Sequence, residues 1–384
     1  MRFEFATATK IVFGAGTLRE AGSAAKEFGQ RALIVIGRDT KRAGPLLKNL
    51  GDVGVGTVTF SIAGEPELST IEQGTALAKK ENCQVVIGFG GGSALDAAKA
   101  IAAMLANDGP LLDCVEIIGR GKALTKTSAP FIAIPTTAGT GSEVTRNAVL
   151  SSPEHKLKVS LRSPLMLAKM AIVDPELTYD LPPALTASTG LDAVTQLIEP
   201  FVCSRANPMT DGLCVEGIRR AGRSLRAAFM DGKNKSARED MAVASLFGGL
   251  ALANAGLGAV HGFAGPIGGS FPAPHGAICA ALLPHVMVAN IHALRQRSPE
   301  SAVLSRYDEV ARLLTGKGSA TADEGVKWVR QFVGDLQIKP LGTYGVREEH
   351  VVDLVAKAAN ASSMKANPVA LTPEELAGAL RQAL

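Results

Sequence analysis

Two hydrophobic patterns alternate through the first half of the chain. Short stretches with a continuous apolar centre run into glycine, proline or threonine turns. They are "RALIVIG" (Arg31–Gly37), "CQVVIGFGGGS" (Cys83–Ser93), "APFIAIPTT" (Ala129–Thr137) and "MAIVDP" (Met170–Pro175). Runs without polar alternation predict strands buried on both faces, as in a parallel sheet. Between them lie helical patterns, of which "SALDAAKAIAAML" (Ser93–Leu105) is the clearest, with Ser93 placed to cap its N-terminus. Strand, glycine turn and helix in repetition predict an open parallel α/β sheet.

After "DPELTYDLPPALTASTG" the pattern becomes helical almost throughout, in "MTDGLCVEGIRRAGRSLRAAF", "AREDMAVASLFGGLALANAG", "SRYDEVARLLTG" and "TPEELAGALRQAL". The last opens with a Thr-Pro-Glu-Glu helix start. The prolines and threonines near residue 180 mark a boundary, so the reading is an α/β domain over 1–180 and an all-α domain over 181–384. From Met241 to Leu294 no Asp, Glu, Lys or Arg occurs. Gly, Pro, Asn and His interrupt this span before it reaches the roughly 20 apolar residues of a membrane helix, so buried helices are expected rather than a membrane segment.

Length and composition agree. A chain of 384 residues suggests two domains, and 46% apolar content supplies their cores. Aromatics are only 4% while glycines number 41, which favours tight turns over an aromatic binding surface. Basic and acidic residues nearly balance, 40 against 36, with no long basic run, so no nucleic-acid footprint is indicated. Five cysteines, odd in number and without a CxxC pair, read as reduced thiols. The opening "MRFEFATATKIVFG" lacks the basic-then-apolar order of a signal peptide, and a cytoplasmic protein is expected.

Two loops carry candidate chemistry. "GFGGGSALDAAK" sets Gly90, Gly91, Gly92 and Ser93 between a strand and a helix, where backbone N–H groups and the helix dipole suit a pyrophosphate. A ligand-free tight turn is the competing reading, since this is not the GxGxxG fingerprint. "PTTAGTGSEVTR" gathers Thr136, Thr137, Thr140 and Ser142 after another strand. Two such loops at strand ends point to a nucleotide crevice. Asp96 and Lys99 read by default as a surface ion pair, with contact to the loop or cofactor as the alternative. In the uncharged segment, His261 and His275, with Asp192 placed at a helix start, form either a divalent metal site or satisfied core histidines. Gln196, four residues after Asp192, shares its helix face. His285 and His292 read as structural or surface residues, and His155 and His350 as solvated.

Taken together, "TKIVFGAGTL", "GGGSALDAAK", "PTTAGTGSEVT", "DPELT", "GLDAVTQLIEP", "NPMTD", "VHGFAGPIGGSFPAPHGAICAALLPHVMVAN" and "NPVALTPEEL" resemble the iron-containing (group III) alcohol dehydrogenase family over almost the whole chain. The resemblance implies an NAD(P)-dependent oxidoreductase of dehydroquinate synthase-like architecture. It implies an N-terminal dinucleotide-binding domain, a helical metal-binding domain, an active site in the cleft between them, and a homodimer or higher homo-oligomer. By the resemblance, Gly90 to Ser93 hold the pyrophosphate. Thr136, Thr137, Thr140 and Lys158 line the cofactor. Asp192, His261 and His275 match three of the family's four metal ligands and act through the metal, Fe or Zn.

The resemblance also exposes three departures. Gln196 stands where the family has a ligand histidine, so either its amide oxygen ligates or no metal binds, as in the related maleylacetate reductases. Gly265 stands where the family has a histidine on the proton path, which enlarges the pocket. Ile36-Gly37, followed by Arg38 and Asp39, replaces a Thr-Asp strand end. Arg38 there leans the cofactor toward NADP, while Asp39 could instead keep a ribose contact for NAD. The expected reaction is metal-assisted hydride transfer between an alcohol and an aldehyde or ketone. The rivals are metal-independent reduction of a keto or unsaturated acid bound by Arg146 or Arg205, a lyase of the dehydroquinate synthase type, and a nucleotide-binding protein without catalysis.

Overall fold

A computed structural model describes residues 2–155 and 157–384. The four apolar runs become β2 (Arg31–Ile36), β4 (Val85–Gly90), β5 (Phe131–Pro135) and β8 (Met170–Val173), the inner strands of a six-stranded parallel sheet of order β1-β8-β5-β4-β2-β3. The edges are β1 (Ile11–Phe13) and β3 (Gly56–Ser61), too short or too exposed to announce themselves as apolar runs. β6 (Asn147–Ser152) and β7 (Leu157–Arg162) add a separate antiparallel hairpin. The helices of this part are α1 (Ala21–Phe28), α2 (Gly44–Asp52), α3 (Leu68–Lys80), α4 (Gly92–Ala106) and the single turn α5 (Leu111–Cys114). Ser93 does not cap α4. The helix begins one residue earlier, with Gly91 at the cap position and no side chain bonded there.

The helical part runs α6 (Pro183–Val202), α7 (Pro208–Met230), α8 (Lys235–Asn254), α9 (Ala259–Ser270), α10 (His275–Arg297), α11 (Ala302–Thr315), α12 (Ala322–Asp335), α13 (Val351–Ala359) and α14 (Pro373–Gln382). Thr372 and Glu375 form the capping box that the Thr-Pro-Glu-Glu start predicts. Asp192 lies in the middle of α6, not at its start. The uncharged span supplies most of α8, all of α9 and most of α10. α10 is long and apolar enough to cross a bilayer, but 78% of its apolar window is buried, as in a core helix.

Contacts divide the chain into two units. The α/β unit holds Ala6–Thr137 and Gly141–Thr178. The helical unit holds Tyr179–Leu384, the N-terminal residues up to Phe5, and the short stretch Ala138–Thr140. Thr140 therefore parts from Thr136, Thr137 and Ser142, which stay with the sheet.

Candidate active site

In the α/β unit, three candidate segments leave the sheet side by side. Ile36 pairs with Phe89, and Gly90 with Pro135, so Gly37–Asp39, Gly91–Ser93 and Thr136–Thr137 all follow the carboxyl ends of adjacent strands. The chain runs from β2 outward to β3, then crosses back to β4, so the winding reverses between β2 and β4. Open α/β sheets bind ligands at such switch points. Gly90 is required sterically and Gly91 is tightly placed. A Cβ on Gly90 would lie 2.6 Å from the Ala94 Cβ, and one on Gly91 3.3 Å from the Thr137 side chain. No side chain caps α4, so no side chain takes up its first N–H groups.

Arg38 is exposed and its Nε donates to the Ala63 carbonyl. Asp39 accepts from the Lys41 backbone N–H at 3.1 Å, capping the turn that follows. Lys158, on β7, pairs with Glu65 at 3.1 Å.

Asp96 and Lys99 are not a surface pair. Lys99 is wholly buried, and its Nζ donates to the Ser142 carbonyl (2.8 Å), Ser142 Oγ (3.0 Å), Thr145 Oγ1 (2.9 Å) and the Asn147 carbonyl (2.7 Å). Asp96 accepts from Ser142 Oγ and, at 3.0 Å, from the Val149 N–H. The pair clasps the threonine loop and β6 to α4. Burial pushes the Lys99 ammonium below its ordinary range and the Asp96 carboxyl above it. Beside them burial raises the Glu143 carboxyl to about 7.

In the helical unit, α6, α9 and α10 bring Asp192, His261, His275 and Cys279 together, with one donor atom of each within 4.8 Å of the others. Asp192 Oδ1 is 3.4 Å from His261 Nε2 and 3.7 Å from His275 Nε2. Cys279 Sγ is 3.8 Å and 3.7 Å from the same two nitrogens. Sequence reasoning missed Cys279, although its position four residues after His275 on one helix is the same signal that picked out Gln196. It also missed Glu199, whose Oε2 lies 2.6 Å from His261 Nδ1 while Oε1 accepts from the Val260 N–H.

The donor set fits a divalent cation. Asp192 Oδ1 and Gln196 Oε1 are buried acceptors with no hydrogen-bond donor. A buried, unmatched carboxylate oxygen is costly unless a cation balances it. Burial alone would raise the Asp192 carboxyl, yet the facing His275 and His261 hold it below its usual range. Burial would likewise lower both imidazoles, but Cys279 and Asp192 raise them, His261 well above its ordinary value. The cluster therefore attracts positive charge. Gly265, one turn beyond His261, has nothing within 4 Å of the position a Cβ would take.

The remaining histidines are structural or peripheral. His155 pairs with Ser152 Oγ at 2.8 Å. His350 is not merely solvated: its ring packs edge-on against Phe271 and accepts from the Arg347 N–H. Burial lowers His285 to about 4.

Residues 8–175 match the family described as iron-containing alcohol dehydrogenase, and residues 186–384 match the C-terminal region of the Fe-containing alcohol dehydrogenase family. The chain belongs to the iron-containing alcohol dehydrogenase family. It is 35% identical to alcohol dehydrogenase 4 of Saccharomyces cerevisiae, covering 97% of this chain and 96% of that one. It is 32% identical to the NAD-dependent methanol dehydrogenase of Bacillus methanolicus, over 97% of each. The crystal structure of a 1,3-propanediol oxidoreductase superposes with a TM-score of 0.93 at 32% identity and complete coverage of both chains. The chain is thus an oxidoreductase of the alcohol dehydrogenase type, interconverting alcohols and carbonyl compounds with a nicotinamide cofactor. This membership does not favour the keto-acid reductase reading. The family binds NAD(P) and a metal, and this chain carries a matching cluster.

Proposed function

We propose that the chain is a metal-assisted NAD(P)-dependent alcohol dehydrogenase. Asp192, His261 and His275 hold the metal, Fe or Zn, with the Gln196 amide oxygen as a neutral donor. The observation that carries this reading is the pair of buried oxygens without donors, Asp192 Oδ1 and Gln196 Oε1, four residues apart on α6. When bound, a divalent metal supplies Lewis acidity to the substrate oxygen, and the nicotinamide supplies or accepts the hydride.

The protein's own residues do the rest. Gly90 to Ser93 and the N-terminus of α4 receive the pyrophosphate, with Thr136, Thr137 and Thr140 along the cofactor and Lys158 reaching it. Asp96 and Ser142 act on the cofactor through the loop they hold. Glu199 fixes the His261 ring so that Nε2 faces Asp192. The apolar walls of α9 and α10 exclude water and strengthen electrostatic stabilisation of a developing alkoxide. Gly265 carries no proton-transfer group and leaves room for a substrate bulkier than a short primary alcohol.

Cofactor choice leans to NADP. Asp39 is engaged by its own turn; Arg38, whose Nε donates to the Ala63 carbonyl, is exposed beside Gly37 at the end of β2, where its guanidinium can meet a 2′-phosphate. Five free thiols support a reducing, cytoplasmic setting.

The test is metal content per chain by plasma mass spectrometry on protein purified without chelator. About one Fe or Zn per chain, lost together with alcohol oxidation in Asp192→Ala, supports the reading. Full turnover in a metal-free preparation would overturn it.

A further inference from the structure

We propose that Cys279 binds the metal directly as a thiolate, making this a sulfur-containing centre. The proposal rests on the metal-site reading above and deepens it.

The argument is geometric. A tetrahedral ion with N and O ligands about 2.0–2.1 Å away and sulfur about 2.3 Å away separates N/O donors by about 3.3 Å and sulfur from nitrogen by about 3.6 Å. The observed separations are 3.4 and 3.7 Å for Asp192 Oδ1 to the two imidazoles, and 3.8 and 3.7 Å for Cys279 Sγ to the same nitrogens. The sulfur therefore sits where a fourth protein ligand belongs, taking the place given above to Gln196, and the substrate oxygen would enter as a fifth ligand on the open side. Both sulfur–nitrogen distances lie within reach of a thiol–imidazole hydrogen bond and also match two ligands of one ion. Cys279 is fully buried, whereas the His275 side chain is 34% exposed, so the centre is closed on the sulfur side and open beside His275. Glu199 occupies His261 Nδ1, which leaves Nε2 for the ion.

Binding would release to solvent the protons that the cluster carries, as the metal–sulfur and metal–nitrogen bonds form. A divalent ion with Asp192 and Cys279 as anions and two neutral imidazoles has no net charge. A thiolate selects softer ions, so the centre prefers zinc over iron.

The test is cobalt(II) reconstitution of the apo full-length chain, reading stoichiometry and the sulfur-to-cobalt charge-transfer band in the near ultraviolet. The wild type is expected to take up one cobalt per chain and show the band. Cys279→Ser is expected to lose it, with circular dichroism and NAD(P)H binding showing that the variant is folded. If the variant also loses cobalt, X-ray absorption at the cobalt edge of the wild-type protein must show a sulfur neighbour. Stoichiometric cobalt without the band, a band that survives in Cys279→Ser, or an absorption edge without sulfur overturns the sulfur ligand and leaves the metal site standing. Failure to bind cobalt, zinc or iron at all overturns both.

Discussion

Glu199 stands directly behind His261, its Oε2 2.6 Å from Nδ1, and the same carboxylate caps the start of α9 through the Val260 N–H at 2.8 Å. One side chain thus orients the ring and positions the helix that bears it. Carboxylate–histidine–metal relays of this kind set the tautomer and basicity of the ligand. Glu199→Gln is expected to weaken metal affinity about 10–100-fold, the range for lost outer partners of a ligand histidine. Competition against a chelator of known affinity measures it, and unchanged affinity would remove Glu199 from the site.

Gly265 lies inside α9 with open space around its missing Cβ. Gly265→Ala should therefore stabilise the protein by about 0.5–1 kcal/mol, the ordinary helix gain over glycine. Gly265→Leu should raise KM for bulky alcohols while sparing short ones. Thermal melts and a chain-length series of alcohols check the two parts.

Glu143 gives a pH signature. Its carboxyl is raised by burial from 4.5 to about 7. Between those values the folded protein holds a proton that the unfolded chain has released. Its contribution is complete below pH 4.5 and is lost as pH rises through about 7. The size is about 3 kcal/mol. Glu143→Gln should remove this term, so its stability relative to wild type should grow between pH 5 and 8 in urea titrations. A constant difference across that range would contradict the assignment.

Gly90→Ala would drive a methyl to 2.6 Å from Ala94. Overpacking of this order costs about 1–3 kcal/mol. Because the strain falls at the head of α4, NAD(P)H affinity should drop while metal content stays at the wild-type level. Fluorescence titration with NAD(P)H and metal analysis of the same sample separate the two.

The inner strands were legible because burial on both faces leaves continuous apolar runs. β1, β3 and the β6–β7 hairpin were not, being short, exposed or alternating. Lys99 looked like half of a surface pair because an i, i+3 charge pair is local information. Its partners Ser142, Thr145 and Asn147 are 43 to 48 residues away and belong to the tertiary fold. Asp192, His261 and His275 were found as types suited to a metal, and α6, α9 and α10 bring them together. Glu199 was not found, since a helical glutamate carries no distinguishing pattern until the helices cross, and Cys279 was passed over although it stands four residues after His275 on α10.

The buried Lys99 clasp has a consequence for how a cofactor meets the protein. Its ammonium cannot leave the oxygens of Ser142, Thr145 and Asn147 without standing bare in an apolar interior, so the loop they belong to is held in one shape before anything binds. A dinucleotide bound at the strand ends, as proposed above, would find little left to order there. Little of its binding free energy would go into freezing that loop, and correspondingly more would remain to hold the nicotinamide in place.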